Sequence, residues 1–194
     1  MKRVILLDFD DSFIFNILSD LKRLNIEGEV VHWKKINKLK LSPHTKNVII
    51  YGPGPGHPHE YKSIYPKIEK WLKEKNLFHL GICLGHQLLW NINGCAIKNS
   101  IKPMHGQPVS IKIPKWDKSF PKEYWDKIVT VQRYNSLGIS SEKIIDHFVV
   151  DEEYQEPMVG RGKNFITYQF HPESVGTSCR KLFFNPIIEF LGNI

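Results

Sequence analysis

One cysteine of the sequence stands where a nucleophile can be activated. Cys83 lies in the segment Gly81-Ile82-Cys83-Leu84-Gly85, which follows an apolar stretch and precedes a helical one. This Gly-x-Cys-x-Gly pattern is the cysteine version of the nucleophile elbow, a sharp strand-to-helix turn whose flanking glycines avoid collisions with neighbouring elements. The start of the following helix favours the thiolate, and the N–H of Leu84 is the expected donor to an oxyanion. The pattern predicts a reactive Cys83, with a buried cysteine on a tight turn as the alternative.

A candidate base, and a group to orient it, lie further along the chain. His171 and Glu173 flank Pro172 at the end of a predicted strand. A thiol nucleophile needs a base, and the base needs a partner on its other ring nitrogen. Because Pro172 bends the chain, His171 can face the thiol while Glu173 supports the ring from the other side. A His-x-Glu is weak evidence alone, but together with the elbow it predicts a triad of Cys83, His171 and Glu173.

A loop dense in glycine and proline is a further candidate part of this site. Residues 52–56 read Gly-Pro-Gly-Pro-Gly and directly follow the predicted strand Asn47–Tyr51. Prolines fix the backbone while glycines let it approach a ligand closely, and open α/β sheets bind ligands at the carboxyl edge of their strands. The loop suits a second backbone donor for an oxyanion, with a rigid turn that binds nothing as the alternative. It does not fit the nucleotide phosphate loops, because no helix with a Lys-Ser/Thr follows.

The remaining histidine and cysteine patterns indicate neither a metal site nor a disulfide framework. His57 and His59 form a His-x-His pair, but no third ligand is evident nearby in the sequence. The chain has 3 cysteines, an odd number without a Cys-x-x-Cys, which fits a reducing compartment. Cys95 and Cys179 lack the glycine context of Cys83 and are expected to be inert. We expect no metal and no cofactor in this chain.

Composition and charge narrow the class of protein. With 41% hydrophobic and 24% charged residues, the chain has the make-up of an ordinary globular domain. No apolar run approaches the ~20 residues of a membrane span, and acidic residues cut the first apolar run too short for a signal peptide. The net charge of +7 comes from dispersed lysines, so a solvated surface is expected, with an electrostatic footprint for a partner as the alternative. We predict a cytoplasmic protein that binds neither membranes nor nucleic acids.

Strands and helices alternate through the first half of the sequence, and short strands dominate the second half. The predicted strands of the first half are Val4–Asp8, Glu29–Trp33, Asn47–Tyr51 and Phe78–Ile82. The predicted helices are one capped by Ser12, Tyr61–Lys75, Leu84–Asn93, and a terminal helix over Arg180–Leu191 that is interrupted or kinked at Pro186. The later strand-like runs are Val109–Ile113, Ile128–Tyr134, Phe148–Val150 and Phe165–Phe170. We predict one α/β domain over residues 1–194, an open and mostly parallel sheet flanked by helices, with additional antiparallel strands in the C-terminal half.

These motifs together resemble the class I, or triad, glutamine amidotransferases. Within that superfamily the likeness is to the small glutaminase subunits of anthranilate synthase and aminodeoxychorismate synthase, and it runs almost from end to end. The elbow and the His-Pro-Glu-Ser are specific to the superfamily, whereas the Asp-Ser-Phe, Met-His-Gly and Arg-Tyr-x-Ser-Leu motifs point to the chorismate-linked branch. The matching segments are residues 7–13 (Leu-Asp-Phe-Asp-Asp-Ser-Phe), 53–56 (Pro-Gly-Pro-Gly), 81–87 (Gly-Ile-Cys-Leu-Gly-His-Gln), 103–106 (Pro-Met-His-Gly), 133–137 (Arg-Tyr-Asn-Ser-Leu) and 169–174 (Gln-Phe-His-Pro-Glu-Ser).

The resemblance implies a glutaminase that works through a covalent thioester. Cys83 would attack the side-chain carbonyl of L-glutamine, and His171, oriented by Glu173, would protonate the departing ammonia and then activate water. The backbone N–H groups of Leu84 and Gly56 would hold the oxyanion. The implied glutamine-binding residues are Gly54, Pro55, Gly56, Gln87, Ser136 and Leu137. In the family, the ammonia passes to a large, chorismate-binding partner subunit.

Three features depart from the family pattern. Asn135 stands where the family usually has histidine, so the chemistry is expected to survive while coupling to the partner could differ. Gly52 stands in place of a common serine and is expected to add flexibility at the entrance of the loop. Residues 175–181 are atypical and could alter the rim that faces the partner.

Several functions stay open at this point. The residues do not separate the tryptophan pathway from the folate pathway, and one subunit can serve both. Ammonia supply to guanylate or carbamoyl-phosphate synthesis and a stand-alone γ-glutamyl hydrolase are alternatives, but the Asp-Ser-Phe start and the absence of a fused synthetase favour a separate chorismate-linked subunit. A catalytically idle regulatory subunit is the alternative from another class, and the intact Cys83, His171 and Glu173 argue against it.

Overall fold

The computed structural model describes residues 2–140 and 148–192. These residues form eleven strands, most of which belong to one large sheet. The strands are β1 (Arg3–Asp8), β2 (Gly28–His32), β3 (Asn47–Tyr51), β4 (Leu77–Ile82), β5 (Ile97–Asn99), β6 (Gln107–Lys112), β7 (Ile128–Arg133), β8 (Leu137–Ile139), β9 (Phe148–Val150), β10 (Pro157–Arg161) and β11 (Phe165–Tyr168). Seven of these described strands make the central sheet, and the pairs β5–β8 and β6–β7 make two small antiparallel sheets.

The central sheet has the strand order β2-β1-β3-β4-β11-β10-β9. The first five strands are parallel, whereas β10 runs antiparallel to β11 and β9 antiparallel to β10. The predicted α/β fold class, a mostly parallel sheet with antiparallel strands from the C-terminal half, is therefore confirmed. The strand β11 returns from that half to lie beside β4, with Tyr168 opposite Ile82. This pairing brings the segment after residue 168 next to the elbow after residue 82.

Helices cover both faces of the sheet, as the alternation of side chains along β1 illustrates. The α-helices are α1 (Ile14–Arg23), α2 (Tyr65–Trp71), α3 (Leu84–Ile92) and α4 (Asn185–Leu191). Val4 and Leu6 belong to a buried cluster that includes α1 and α4, whereas Ile5 and Leu7 belong to a cluster that includes α2 and α3. Successive side chains of a strand point to opposite faces, so each face of β1 meets its own pair of helices.

Two predicted helices are shorter than expected because a proline restarts each of them. The helix predicted over Tyr61–Lys75 is a 3-10 helix at Pro58–Ile64 followed by α2, which has Pro66 in its first turn. The terminal helix is likewise a 3-10 helix at Arg180–Phe184 followed by α4, with Pro186 in the first turn rather than at a kink. Proline lacks an N–H and has a fixed φ, which suits the first turn of a helix, where that N–H has no intrahelical acceptor.

The predicted cap of α1 is also wrong. Ser12 does not cap the helix, since Phe13 occupies the cap position without a side-chain hydrogen bond. Instead, the Asp11 Oδ1 atom accepts the N–H of Phe13 at 2.9 Å, and the Asp8 Oδ1 atom accepts the N–H of Asp10 at 2.9 Å. Two carboxylates therefore order the turn that leads from β1 into α1.

The predicted strands agree with the structure except at a few ends, and three strands were missed. The predicted runs Ile128–Tyr134 and Phe165–Phe170 continue one and two residues beyond β7 and β11. The missed strands β5 and β8 have 3 residues each. The missed strand β10 begins with a proline and contains Gly160, where a Cβ would lie 2.3 Å from the Trp90 indole nitrogen. Short runs and a glycine that makes room for a ring do not produce the pattern of a strand.

The segments that follow β1, β3, β4 and β11 meet at one edge of the sheet. These four strands are parallel neighbours, so their carboxyl ends lie together, where open α/β sheets bind ligands. Across residues 2–140 and 148–192, no helix has both the length and the apolar character needed to cross a membrane.

Candidate active site

Cys83 occupies a strained turn between β4 and α3. Its backbone has φ 52° and ψ −103°, a conformation that is rare for a residue with a side chain. Its N–H donates to the carbonyl of Tyr168 at 2.8 Å, which holds the turn against β11. A Cβ on Gly81 would lie 2.5 Å from the Gly85 carbonyl oxygen, and one on Gly85 would lie 2.1 Å from the Tyr51 oxygen. Both glycines are therefore required by packing, as the elbow pattern predicts.

His171 lies beside this turn and is held by Glu173. Its Nδ1 atom is 2.7 Å from Oε1 of Glu173, and both side chains are almost fully buried. The other ring nitrogen, Nε2, is buried and has no hydrogen-bond partner among the residues that the structure describes. Because Nδ1 is occupied by Glu173, Nε2 is the nitrogen left to face Cys83. The structure thus brings the three predicted triad side chains together.

The charge state of His171 follows from these neighbours. Burial by itself lowers the pKa of His171, since it penalises the imidazolium. The interactions with the Cys83 and Glu173 side chains act in the opposite direction and outweigh burial, so the pKa is held well above the usual value of 6.5. A histidine that keeps a proton in this way can pair with a thiolate and later donate to a leaving amine.

Two aromatic rings and two hydrogen bonds fix the position of His171. Phe13 and Tyr134 meet its ring edge to face, with centroids 5.3 Å and 4.9 Å away. The His171 N–H donates to the Gln132 carbonyl at 2.9 Å, and its own carbonyl accepts the Thr177 hydroxyl at 2.7 Å. Neither aromatic ring was predicted to contact the triad, although both residues lie in motifs that carry the family resemblance.

The segment after Glu173 supports it from behind. Arg180 donates to the Glu173 carbonyl at 3.2 Å and lies 3.6 Å from the carboxylate of Asp20 on α1. Gly176 donates its N–H to the Gln132 side chain at 3.0 Å. Residues 175–181, which the sequence marks as atypical, therefore contact Glu173 and Gln132 within the chain. Val175, at 93% exposure, faces solvent.

The two predicted oxyanion donors lie on adjacent segments. Leu84 is the first residue of α3, and the first N–H groups of a helix have no acceptor within it. The loop of residues 52–56 packs on this residue, because a Cβ on Gly54 would lie 2.6 Å from Leu84 Cδ2. Gly56 has φ +77°, which favours glycine, and is exposed together with Pro55. The next residue, His57, donates its N–H to the Glu60 carboxylate at 2.6 Å, which fixes the exit of the loop.

Gly52, at the entrance of the same loop, is tightly packed. It is buried, its N–H donates to the Leu7 carbonyl at 3.2 Å, and a Cβ there would lie 2.6 Å from Ile14 Cδ1. A serine at this position would need the Ile14 side chain to move. The expectation that Gly52 adds flexibility has no counterpart in these contacts, since the residue is enclosed and hydrogen-bonded.

The predicted glutamine-binding residues Gln87 and Leu137 are in direct contact. The Gln87 Nε2 atom donates to the Leu137 carbonyl at 2.8 Å and to the Gln169 Oε1 atom at 3.2 Å. Both amide hydrogens of Gln87 are therefore used inside the protein, and its carbonyl oxygen is the group it can offer a substrate. Ser136 is exposed at the same edge, and its carbonyl accepts the N–H of Ser100 at 2.9 Å.

Asn135 connects this segment to a buried ion pair. Its Nδ2 atom donates to the Leu137 carbonyl at 2.9 Å, and its Oδ1 atom accepts the Nε–H of Arg133 at 3.0 Å. Arg133 is fully buried, forms a short ion pair with Glu156 and lies 3.8 Å from Asp151. Removal of one member of such a pair leaves an uncompensated buried charge, so loss of either partner is strongly destabilising. Asn135 thus has a structural role that the sequence did not indicate.

The other candidate ligands and thiols lie outside this arrangement. His57 accepts the N–H of His59 at 3.1 Å and forms a capping box with Glu60, so this pair organises a helix start. Within the described residues, no group of three His, Cys, Asp or Glu side chains is placed to hold a metal ion. Cys95 is buried, and Cys179 is exposed at a helix start with φ +53°.

Gln169 contacts Cys83, and the sequence motifs did not predict this contact. Its side chain is 1% exposed, and its Nε2 atom lies 3.9 Å from the Cys83 sulfur. Residues two apart along an extended chain share a side, and Gln169 stands two residues before His171. That spacing is the signal in the sequence from which the position of Gln169 could be predicted.

Comparison with known proteins identifies the family of this chain. Residues 5–190 match the family model described as glutamine amidotransferase class-I. An anthranilate synthase component 2 from Cyanidium caldarium is 31% identical over 183 residues, which cover 90% of this chain and 91% of that protein. A Schizosaccharomyces pombe protein provisionally named aminodeoxychorismate synthase is 32% identical over 186 residues, 91% of this chain but 24% of that protein.

A solved structure with the same fold has much lower sequence identity. The crystal structure of a glutamine amidotransferase from Thermotoga maritima superposes with a TM-score of 0.71 at 18% identity, and the match covers 97% of this chain and 81% of that one. At this identity the likeness concerns the fold, whereas the family match and the closer relatives concern the sequence itself. Together they show that the chain belongs to the class-I glutamine amidotransferase family.

Proposed function

We propose that this chain is the glutaminase subunit of a chorismate-using synthase, with Cys83 as nucleophile, His171 as acid and base, and Glu173 as the residue that orients His171. The observation that carries the proposal is the strained Cys83 turn beside the buried His171–Glu173 pair. The His171 Nδ1 and Glu173 Oε1 atoms of this pair are 2.7 Å apart. A deprotonated sulfur, an imidazolium and a carboxylate in that order are what acyl transfer from an amide requires.

The proposed reaction has two halves that share one thioester. The Cys83 sulfur bonds to the side-chain carbon of glutamine, and the oxygen becomes an oxyanion that the N–H groups of Leu84 and Gly56 stabilise. His171 then gives its proton to the nitrogen, which leaves as ammonia. In the second half His171 takes a proton from water, the hydroxide attacks the thioester, and glutamate leaves as the Cys83 sulfur is restored. The sum is glutamine plus water to glutamate plus ammonia.

Substrate binding is proposed at the carboxyl edge around the turn. Gly54, Pro55 and Gly56 form one wall, supported by the packing of Gly54 on Leu84. The opposite wall would be the backbone of Ser136 and Leu137, with the free carbonyl oxygen of the neighbouring Gln87 side chain as an acceptor. Backbone groups at a sheet edge suit recognition of an amino acid because they offer fixed donors and acceptors.

The ammonia is proposed to serve a large subunit that binds chorismate. The similarity to a relative named anthranilate synthase component 2 over nine-tenths of both chains supports the tryptophan branch as the leading assignment. The similarity to a protein named for aminodeoxychorismate synthesis supports the folate branch as the second candidate, and a bifunctional subunit would serve both. The cytoplasmic location stays a prediction from the sequence.

The test measures ammonia and the aromatic product separately. Wild-type protein, Cys83→Ser and the control Cys179→Ser are assayed for glutamine-dependent ammonia release, alone and with a large subunit of either type plus chorismate. We expect weak activity alone, activation by the cognate large subunit, and loss of about a thousandfold or more in Cys83→Ser. The control changes an exposed thiol and should behave as wild type.

The outcomes separate the parts of the proposal. Glutamine hydrolysis that persists in Cys83→Ser would remove Cys83 as the nucleophile. Hydrolysis in the wild type without formation of either aromatic amine, with both large subunits, would remove the chorismate-linked partner. A wild-type protein that neither hydrolyses glutamine nor reacts at Cys83 with a glutamine-like electrophile would leave the idle regulatory subunit as the better assignment.

A further inference from the structure

The Cys83 sulfur has a second polar neighbour besides His171. Gln169 follows the last residue of β11, and its side-chain Nε2 atom lies 3.9 Å from the sulfur. Both side chains are buried, with Gln169 at 1% and Cys83 at 8% exposure. A buried amide beside a nucleophile matters because its oxygen would repel a thiolate while its N–H would attract it. The orientation of this amide therefore decides what it does.

The hydrogen bonds around Gln169 determine that orientation. A backbone carbonyl only accepts, so Gln87 must turn its NH₂ group toward the Leu137 oxygen, 2.8 Å away. The second hydrogen of that NH₂ group points to Gln169 and requires an acceptor, which is the Gln169 Oε1 atom at 3.2 Å. With its oxygen facing Gln87, Gln169 can only present its own NH₂ group to the sulfur.

The Leu137 carbonyl that starts this chain is itself held in place. It also accepts the Nδ2–H of Asn135, whose Oδ1 atom accepts from Arg133, and Arg133 is paired with the buried Glu156. A continuous series of hydrogen bonds therefore runs from a buried ion pair to the nucleophile. The Gln169 amide has no freedom to turn over without breaking it.

We propose that Gln169 is a further catalytic residue, whose amide N–H holds the Cys83 sulfur in its reactive, negatively charged form, and that Gln87 is the residue that positions this amide. The proposal rests on the proposed function of Cys83 as nucleophile. A hydrogen bond to an ionised acceptor is stronger than one to its neutral form, so the contact with Gln169 favours the thiolate over the thiol. His171, backed by Glu173, is the titratable group whose interaction with the sulfur the described residues show, and it is kept in every variant below.

The test is the pH dependence of Cys83 alkylation by iodoacetamide, a neutral electrophile that reacts with the thiolate. The rate is read by mass spectrometry on the peptide that contains Cys83, so that Cys95 and the exposed Cys179 do not contribute. Gln169→Met keeps the length of the side chain but removes the N–H, and the pH of half-maximal rate should rise by about half a unit to one unit. In steady state, kcat should fall about five- to tenfold with KM changed less than about twofold.

Two further variants keep the test decisive. Gln169→Glu has the same shape and replaces the donor by a carboxylate, so its midpoint should rise further than that of Gln169→Met; a role in packing alone predicts no such order. Gln87→Met releases the amide of Gln169 and should move the midpoint in the same direction by a smaller amount. The matched control is Gln107→Met at the exposed first residue of β6, which should leave the midpoint unchanged.

Failure of this inference is distinguishable from failure of the proposed function. Folded Gln169 variants whose alkylation midpoints equal that of the wild type overturn the role of Gln169, whatever their rate of glutamine hydrolysis. A wild-type protein that does not hydrolyse glutamine overturns the proposed function instead. A midpoint that rises in Gln169→Met but falls in Gln169→Glu also contradicts the proposal. A carboxylate beside the sulfur should disfavour the thiolate and raise the midpoint.

Discussion

The carboxyl edge of the sheet and the protein interior next to it both bury histidines, but the pKa values of these histidines shift in opposite directions. At the carboxyl edge of the sheet, His171 is paired with the Glu173 carboxylate and faces the Cys83 sulfur, and its pKa is well above the usual value. In the interior, burial lowers the pKa of His79 to about 4 and that of His86 to about 3. These two histidines have only neutral hydrogen-bond partners among the described residues.

The difference lies in the partners and not in the depth of burial. His86 contacts the Thr167 hydroxyl at 2.9 Å, and His79 contacts the Tyr51 hydroxyl at 3.0 Å. A hydroxyl satisfies a ring nitrogen but does not offset the loss of hydration of an imidazolium, whereas the Cys83 sulfur and the Glu173 carboxylate together do for His171. The interior histidines are therefore neutral packing residues, and the charge pair at the edge is what makes His171 chemically useful.

The largest effect is expected from removing the charge at the edge. Glu173→Gln keeps the size of the side chain but takes away the carboxylate that orients His171 and helps to keep it protonated, so kcat for glutamine hydrolysis should fall by about a hundredfold to ten-thousandfold. The measurement is ammonia release with the activating large subunit, with circular dichroism as the check of folding. Glu69→Gln, on the exposed side of α2, is the matched control. Activity within about threefold of wild type would show that His171 does not depend on the Glu173 carboxylate.

An intermediate effect is expected on stability when an interior histidine is removed. The folded-state pKa of His86 is depressed, so between about pH 6.5 and about pH 3 the unfolded chain binds a proton that the folded protein excludes. The unfolding free energy is therefore not reduced by His86 above the unfolded pKa, and it is reduced progressively as the pH falls below that value. His86→Met should therefore flatten the fall of unfolding free energy with decreasing pH by about 1.4 kcal/mol per pH unit.

Urea unfolding at a series of mildly acidic pH values measures this slope. His44→Met is the control, since His44 is exposed in the folded protein as well as in the unfolded chain. An unchanged slope in His86→Met would mean that His86 is charged in the folded state, and the contrast between the two regions would not hold.

The smallest effect on stability and kcat is expected from the removal of Arg180, which contacts the Glu173 carbonyl. Arg180 is partly exposed, and its partner Asp20 keeps a second ion pair with Arg23, so Arg180→Met should cost about 1 kcal/mol or less of unfolding free energy. Because the carbonyl it holds belongs to Glu173, kcat should still fall a few-fold. Arg3→Met, which breaks a comparable surface ion pair with Glu29, should change stability by a similar amount and leave kcat unchanged. Equal kcat values for both variants would show that Arg180 contributes to the edge only as a surface charge.

Much of the fold was predictable because local patterns carry it. Asn47–Tyr51 was predicted as a strand with the bounds that β3 has, since a buried parallel strand is a continuous apolar run with clear ends. Helix starts were less predictable. Pro66 and Pro186 were placed inside predicted helices, although a proline in the first turn is as compatible with a fresh start as with an interruption.

The three candidate residues Cys83, His171 and Glu173 were predictable for a different reason. A cysteine between two glycines at a strand-to-helix turn, and a histidine near a carboxylate after a strand, each have a recognisable local pattern. What no local pattern contains is that β11 pairs with β4, with Tyr168 opposite Ile82. That pairing places Gln169 at the sulfur and depends on how strands distant in sequence assemble into one sheet.

The sequence by itself therefore determined the chemistry that Cys83, His171 and Glu173 are suited to perform, because side-chain type and turn geometry are local properties. The tertiary structure alone decided which groups surround them. Asn135 illustrates the division, since its sequence position suggested a difference in partner coupling. Its hydrogen bonds to Arg133 and to the Leu137 carbonyl place it in the support of the active-site edge. Such contacts depend on the packing of segments far apart in the chain, which a residue's own neighbours along the sequence do not specify.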